Sequence, residues 1–311
     1  MLDSLSKGFF HLLAASSALK SLASSYGMRH QTSFARRFIA GESVEEAMPA
    51  ARTLGTNGLL LTLDQLGESV ASAADAAAAT QAYLHVIDVI EGAGIERNLS
   101  IKLTQLGLDI DRVTCLDNLR RILDRAAAGA FFVRIDMENS PYTEATLEIF
   151  ETVWGLGLRN VGVVLQSCLH RSEQDLARIN ALGARVRLVK GAYKEPRSVA
   201  FQQKSEVDAT FVRMMQTLLS EGTYPAIATH DEAIIAATKA YAAEKGIGLD
   251  RFEFQMLYGI RRDLQTSLMA DGHRVRVYVP FGKEWFPYFM RRLGERPANV
   301  GFVLKGILSE R

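Results

Sequence analysis

Short apolar runs alternate with longer amphipathic segments through most of the chain. From residue 58 onward, eight runs rich in Leu, Ile, Val and Phe recur, and apolar residues at helical spacing lie between them. The runs cover residues 58–64, 99–105, 131–138, 161–167, 186–193, 225–231, 252–259 and 276–282. Continuous apolar strands joined by helical crossovers are typical of a parallel sheet that is buried on both faces.

Eight strand–helix units over about 250 residues predict an α/β fold of the (β/α)8 TIM-barrel type. The alternative is an open doubly wound sheet, but no G-x-G-x-x-G turn follows the first run. We assign residues 56–311 to the barrel. Residues 1–55 are predicted to form an N-terminal helical arm, because Leu5, Phe9, Leu12 and Leu13 recur at helical spacing and 43–54 forms a second short helical pattern.

Composition narrows the functional classes. The 311 residues carry a formal net charge of +1, and no lysine-rich block favours nucleic-acid binding. Two cysteines without metal-ligand spacing favour a reducing, cytoplasmic compartment. No apolar run reaches the roughly 18 residues of a membrane-spanning helix.

Polar side chains gather at or near the carboxyl ends of the predicted strands. They are Asp64, Lys102, Asp136, Gln166, Arg187, Lys190, Thr229, His230, Gln255 and Tyr278. In a TIM barrel this rim carries the active site. The pattern therefore predicts an enzyme.

The residues at the rim leave the chemistry open. Lys102 or Lys190 could form a Schiff base with a carbonyl substrate, or either could be a fixed cation for a carboxylate. A barrel that merely binds an anion is a third alternative. We predict no metal site, because His230 has no second histidine at a strand end.

The C-terminal stretch "PYFMRRLGERPANVGF" is predicted to begin as a helix. Tyr288, Arg291, Arg292 and Glu295 follow i, i+3, i+4 and i+7 spacing and share one face. That face is either a solvated charged surface or part of an anion site.

Several fragments in this order resemble the proline dehydrogenase family, in its monofunctional bacterial form. They are "LDQLGE", "IKLTQLGLD", "RIDME", "VVLQS", "RLVKGAYKEP", "ATHD", "FEFQMLYG" and "YFMRRLGER", and they span roughly residues 58–305. The resemblance implies flavin-dependent oxidation of L-proline to Δ1-pyrroline-5-carboxylate, the first step of proline catabolism. It also implies that the last helix lies over the mouth of the barrel.

The resemblance assigns a substrate site. Arg291 and Arg292, helped by Lys102, would bind the substrate carboxylate, which suits the planar fork of a guanidinium. Further substrate-site residues would be Leu257, Tyr278 and Tyr288 against the ring, Glu68 paired with Arg291 as a gate, and Glu295 holding the helix face.

It also assigns an FAD site on the rim. Arg187 would donate a hydrogen bond near flavin N5, and Asp136, paired with Lys102, would lie beside flavin and substrate, so we name Asp136 and Arg187 as catalytic. The other cofactor residues would be Met137, Gln166, Lys190, Gly191, Ala192, Thr229, His230 and Gln255. The expected reaction is hydride transfer from proline C5 to flavin N5, with the protein orienting both.

The family resemblance extends to partners. A membrane quinone is the expected electron acceptor, with the enzyme in the cytoplasm or peripherally on the inner face of the membrane. A downstream dehydrogenase is an expected recipient of the product.

Overall fold

The computed structural model describes residue 28 and residues 33–295, with side chains described as far as Arg292 except that of Phe34. Eight parallel strands pair in sequence order and form a closed barrel. They are β1 (Leu60–Gln65), β2 (Asn98–Ile101), β3 (Phe132–Ile135), β4 (Val161–Gln166), β5 (Arg185–Val189), β6 (Ala226–Ala228), β7 (Glu253–Leu257) and β8 (Val275–Phe281). Strand β8 pairs with β1 from Leu60–Arg276 to Gln65–Phe281. This closure confirms the predicted barrel over an open sheet.

Helices connect successive strands on the outside of the barrel, and a further helix precedes β1 and another follows β8. In the described part of the chain they are α1 (Val44–Thr56), α2 (Ala73–Ala93), α3 (Arg112–Ala128), α4 (Thr143–Gly155), α5 (Ser172–Ala181), α6 (Lys204–Glu221), α7 (Glu232–Glu244), α8 (Arg262–Ala270) and α9 (Trp285–Glu295). Local sequence sets their ends. Ser72 caps α2 by accepting from the Asp75 N–H at 3.1 Å, and Gly94 ends it with φ of 66°.

The barrel interior is polar at its floor. Arg276 donates to both carboxylate oxygens of Glu253, at 2.7 and 3.0 Å, and to Glu96 at 2.8 Å. Burial alone would raise the pKa of Glu253, but the Arg276 charge and hydrogen bonds outweigh it and lower that pKa. Glu253 is therefore a buried carboxylate that holds β7 to β8 beneath the site.

The last helix rests on the segment that precedes α1. Phe38, Trp285 and Phe289 belong to a hydrophobic cluster separate from the main barrel core. The rings of Phe38 and Phe289 lie 6.1 Å apart between centroids, and Trp285 Nε1 donates to Glu42 Oε1 at 3.1 Å. This packing holds α9 across the end of the barrel, as predicted.

Helix α1 coincides with the helix predicted at 43–54. Its buried residues Val44, Ala47 and Ala51 belong to the same hydrophobic core as the strands. The boundary between arm and barrel at residue 55 stays a prediction. The helix predicted from Leu5 to Leu13 lies outside the described residues.

Candidate active site

A cavity of about 700 Å³ opens at the carboxyl ends of the strands, beneath α9. It is lined by all but one of the predicted site residues: Glu68, Lys102, Asp136, Met137, Gln166, Arg187, Lys190, Gly191, Ala192, Thr229, His230, Gln255, Leu257, Tyr278, Tyr288, Arg291 and Arg292. The exception is Glu295, whose side chain lies outside the described residues. The closed barrel thus brings Glu68 and Arg292, 224 positions apart, into one cavity.

Asp136 lies at the centre of a hydrogen-bonded group. Its Oδ1 accepts from Arg187 Nη1 at 2.7 Å and its Oδ2 from the Tyr278 hydroxyl at 2.8 Å. Burial, followed by the charges of Asp136 and Asp64, raises the pKa of Tyr278 well above its usual value, so its phenol stays protonated as a donor. Asp136 therefore holds two hydrogen-bond donors, Arg187 and Tyr278, at the cavity.

The predicted Asp136–Lys102 pair is present, but Lys102 lies closer to Asp64 than to Asp136. Lys102 Nζ lies 3.8 Å from Asp136 Oδ2 and 3.3 Å from each carboxylate oxygen of Asp64. Burial by itself would lower the pKa of Lys102, but the charges of Asp64 and Asp136 outweigh it and raise that pKa. Lys102 is a buried ammonium, which suits a carboxylate partner and disfavours attack on a carbonyl.

The predicted cationic face of α9 borders the cavity. Arg291 Nη2 donates to Glu68 Oε1 at 3.0 Å, so the expected ion pair is present in the structure. Arg292 is buried, and its guanidinium lies 5.1 Å from the centre of the Tyr288 ring. This face is not a solvated charged surface, because Tyr288 and Arg292 are buried and the partly exposed Arg291 is paired with Glu68.

Residues around β4 and β5 form another wall. Gln166 Nε2 donates to the Glu138 carbonyl at 2.8 Å, and Lys190 Nζ pairs with Asp208 at 2.6 Å and Asp231 at 2.7 Å. Gly191 has φ of 111°, and a Cβ there would lie 2.4 Å from Cys168 Sγ. Only glycine fits this position, which leaves backbone exposed at the cavity wall.

His230 and Gln255 also line the cavity. His230 Nε2 accepts from the Leu257 N–H at 3.0 Å, while the neighbouring Asp231 caps α7. The Gln255 amide donates to the Glu253 side chain, not to backbone.

Two residues in or near the cavity received no role from the sequence. Asp64 was noted at a strand end but given no role, although its carboxylate is fully buried against Lys102. Tyr193 also lines the cavity, and the motif "KGAYKEP" that contains it was the available signal. Arg187, which was predicted as a site residue, lies in the middle of β5, and its Nη2 donates to Ser100 at 3.0 Å, a contact that was not predicted.

The cavity favours an anionic ligand. Within the described chain, its lining has six basic side chains and four acidic ones. The described residues contain no cluster of three or more His, Cys, Asp or Glu with the geometry of a metal site. No described helix has the length and apolar character needed to cross a bilayer.

Comparison with known proteins agrees with this geometry. A family profile described as "Proline dehydrogenase" matches residues 47–305. The chain is 41% identical to "Proline dehydrogenase 2" of Bacillus subtilis over 97% of this chain and 99% of that one. It is 44% identical to "Proline dehydrogenase" of Deinococcus radiodurans over 88% of this chain and 90% of that one.

A solved structure of similar fold is that of proline utilization A from Bdellovibrio bacteriovorus, inactivated by N-propargylglycine. The match has a TM-score of 0.78 and 27% identity, and it covers 84% of this chain. This chain corresponds to about a third of that larger protein, 32% of its length. The chain belongs to the proline dehydrogenase family of oxidoreductases.

Proposed function

We propose that this protein is an FAD-dependent proline dehydrogenase that oxidises L-proline to Δ1-pyrroline-5-carboxylate. The observation that carries the proposal is the single cavity that joins buried cations from β2, β5 and α9 to aromatic side chains of β8 and α9. A small cyclic amino acid needs both, because its carboxylate is charged and its ring is apolar. The family membership of the chain supports the same substrate.

The carboxylate would lie against Arg291, Arg292 and Lys102. All three line the cavity, and Lys102 and Arg292 are buried, at 7% and 8% exposure. Charge-assisted hydrogen bonds are strongest where water is excluded, and Arg292 offers a planar fork. Tyr278, Tyr288 and Leu257 would pack the ring and hold C5 toward the wall formed by β4 and β5.

The residues present fit a flavin. Arg187 Nε is buried and has no hydrogen-bond partner among the described residues, while both its terminal nitrogens are engaged. A ligand acceptor at this point would satisfy it. Gly191 leaves backbone open for close approach, and Met137, Gln166, Lys190, Ala192, Thr229, His230 and Gln255 would complete the cofactor site.

Bound FAD supplies the two-electron oxidant for the C5–N bond of proline. The chain's own residues orient the substrate and prepare its nitrogen. Oxidation removes a hydride from C5 and a proton from the ring nitrogen, so proline reacts with its amine unprotonated. The excess of basic side chains around the cavity lowers the pKa of a bound ammonium and favours that form. Asp136 anchors Arg187 and Tyr278 beside the reacting atoms.

The electrons would pass from the flavin to a membrane quinone, with the protein in the cytoplasm or at the inner face of the membrane. The imine product would pass to a downstream dehydrogenase. A soluble quinone analogue that sustains turnover, where dioxygen does not, supports this acceptor class.

An absorbance spectrum tests the central proposal. The purified protein is expected to be yellow and to bleach on anaerobic addition of L-proline, while D-proline leaves the spectrum unchanged. A colourless protein, or a yellow one indifferent to L-proline, contradicts it. Borohydride trapping of a substrate on Lys102 or Lys190 would instead support Schiff-base chemistry, which the raised pKa of Lys102 disfavours.

A further inference from the structure

The loop between β1 and α2 presents Glu68 to Arg291, and its conformation is not one that the loop residues favour on their own. Ser69, next to Glu68, has φ of 48°, in the left-handed region that costs a non-glycine residue free energy. Glu68 itself is partly exposed, with 34% of its side chain accessible. Bonds from elsewhere in the fold must therefore hold this loop.

Thr104 supplies those bonds from the short helical turn after β2. Its Oγ1 accepts from the Ser69 N–H at 3.1 Å, and its carbonyl accepts from the Val70 N–H at 3.4 Å. Thr104 is fully buried, so water does not compete for either bond. The two amides that follow Glu68 are thus tied to one residue of the barrel rim.

Glu138 fixes the direction of the Thr104 hydroxyl. Thr104 Oγ1 donates to Glu138 Oε2 at 2.6 Å, and the Thr104 N–H donates to Glu138 Oε1 at 3.2 Å. Because the hydroxyl hydrogen is used by Glu138, an oxygen lone pair is available to accept from the Ser69 N–H. Glu138 is buried, and its own carbonyl accepts from Gln166 in the cavity wall.

We propose that Thr104 is a positioning residue for the Glu68–Arg291 ion pair. Its hydroxyl, aligned by Glu138, holds the β1–α2 loop in the conformation in which Glu68 reaches Arg291. The consequence for ligand binding rests on the proposed function, which assigns Arg291 to the substrate carboxylate. The consequence for the loop does not, because it follows from the hydrogen bonds alone.

The test compares Thr104→Val with Thr104→Ser. Valine keeps the β-branched shape and removes the hydroxyl, whereas serine keeps the hydroxyl and serves as the matched control. Amide hydrogen exchange of the peptide covering residues 66–72 is expected to be faster in the Val variant and close to wild type in the Ser variant. This measurement needs no catalytic turnover.

Ligand affinity gives the second readout. Tetrahydrofuran-2-carboxylate has the ring and carboxylate of proline but no amine to oxidise. Thr104→Val should weaken its binding about three- to tenfold, the effect of one hydrogen bond. In a Glu68→Ala background the same substitution should cause no further loss, because both changes act on one ion pair.

Unchanged exchange in residues 66–72, or an equal loss of affinity with and without Glu68, overturns the proposal. If Thr104→Val does not fold, Glu138→Gln provides the test, since it keeps the shape and removes one acceptor from Thr104. Wild-type protein that does not bleach with proline overturns the proposed function, while faster exchange confined to the Val variant still supports the role of Thr104.

Discussion

Arg292 has a buried guanidinium at the edge of the cavity. Replacing it tests the proposed contact between this side chain and the substrate carboxylate. We expect Arg292→Met to raise the KM for proline by the equivalent of about 2–4 kcal/mol, because a buried charge pair is lost. Arg213→Met, on the outer helix α6 and paired with Glu173, is the matched control and should leave KM unchanged. A folded, flavin-loaded Arg292→Met variant with wild-type KM would remove Arg292 from the substrate site.

Tyr278 combines a ring that lines the cavity with a hydroxyl that donates to Asp136. Tyr278→Ser should narrow the preference for proline over 4-hydroxyproline, because it opens space for the extra hydroxyl and leaves a polar partner. Tyr278→Phe keeps the ring and should retain the preference. The ratio of kcat/KM for the two substrates measures this, and an unchanged ratio in the Ser variant would show that Tyr278 is not the discriminator.

At the scale of elements, the Glu68–Arg291 ion pair connects the β1–α2 loop to α9. Glu68→Ala should speed the dissociation of proline or an inhibitor, because the ion pair closes the cavity over the ligand. It should lower kcat/KM more than it lowers the flavin content. The double variant Glu68→Ala/Arg291→Ala should be less impaired than the two single effects combined. Stopped-flow flavin reduction on the four proteins provides the comparison, and strict additivity would leave Arg291 as a carboxylate ligand alone.

The packing of α9 on Phe38 allows a separate test of whether the position of the last helix affects substrate binding. Phe38→Ala removes a buried ring that contacts Phe289, outside the main barrel core. We expect a higher KM for proline with a modest fall in the free energy of unfolding. Phe254→Ala, within the main core, should lose about 3–5 kcal/mol of stability. Denaturant unfolding and proline kinetics on both variants check this, and the idea fails if Phe38→Ala leaves KM unchanged.

At the scale of the whole molecule, the buried Glu253–Arg276 pair joins β7 to β8 at the floor of the barrel. Because the folded-state pKa of Glu253 is lowered, its contribution to stability is complete above the usual pKa near 4.5 and is lost as pH falls below it. Glu253→Gln leaves Arg276 without its charge partner and should cost about 3–5 kcal/mol at neutral pH. It should also lose less further stability on acidification than wild type does.

The control for this prediction is a surface carboxylate. Glu148→Gln, which breaks an exposed pair with Arg112, should change the free energy of unfolding by less than about 1 kcal/mol. Denaturant unfolding from pH 7 to well below the usual glutamate pKa measures both variants. A Glu253→Gln protein with wild-type stability would show that the pair does not hold the barrel together.

The barrel and most of its rim could be predicted from the sequence. Apolar runs bounded by turn residues specify strands, and helical spacing between them specifies crossovers, because both periodicities are local properties of the chain. The carboxyl ends of parallel strands share one edge, so residues such as Lys102 and Asp136 could be assigned to one site without coordinates. The arginine face of α9 could also be predicted, because residues three and four positions apart share a helical face.

The pairing of those side chains could not be predicted from the sequence. Lys102 contacts Asp64 more closely than Asp136, and Arg187 contacts Ser100, 87 positions away. These pairings depend on the stagger of strands around the closed barrel, which no local pattern encodes. The seat of α9 on Phe38 and the bond from Thr104 to the Ser69 amide likewise join segments distant in sequence. Strand and helix periods are set by neighbouring residues, whereas hydrogen-bond partners across a barrel are set by its closure.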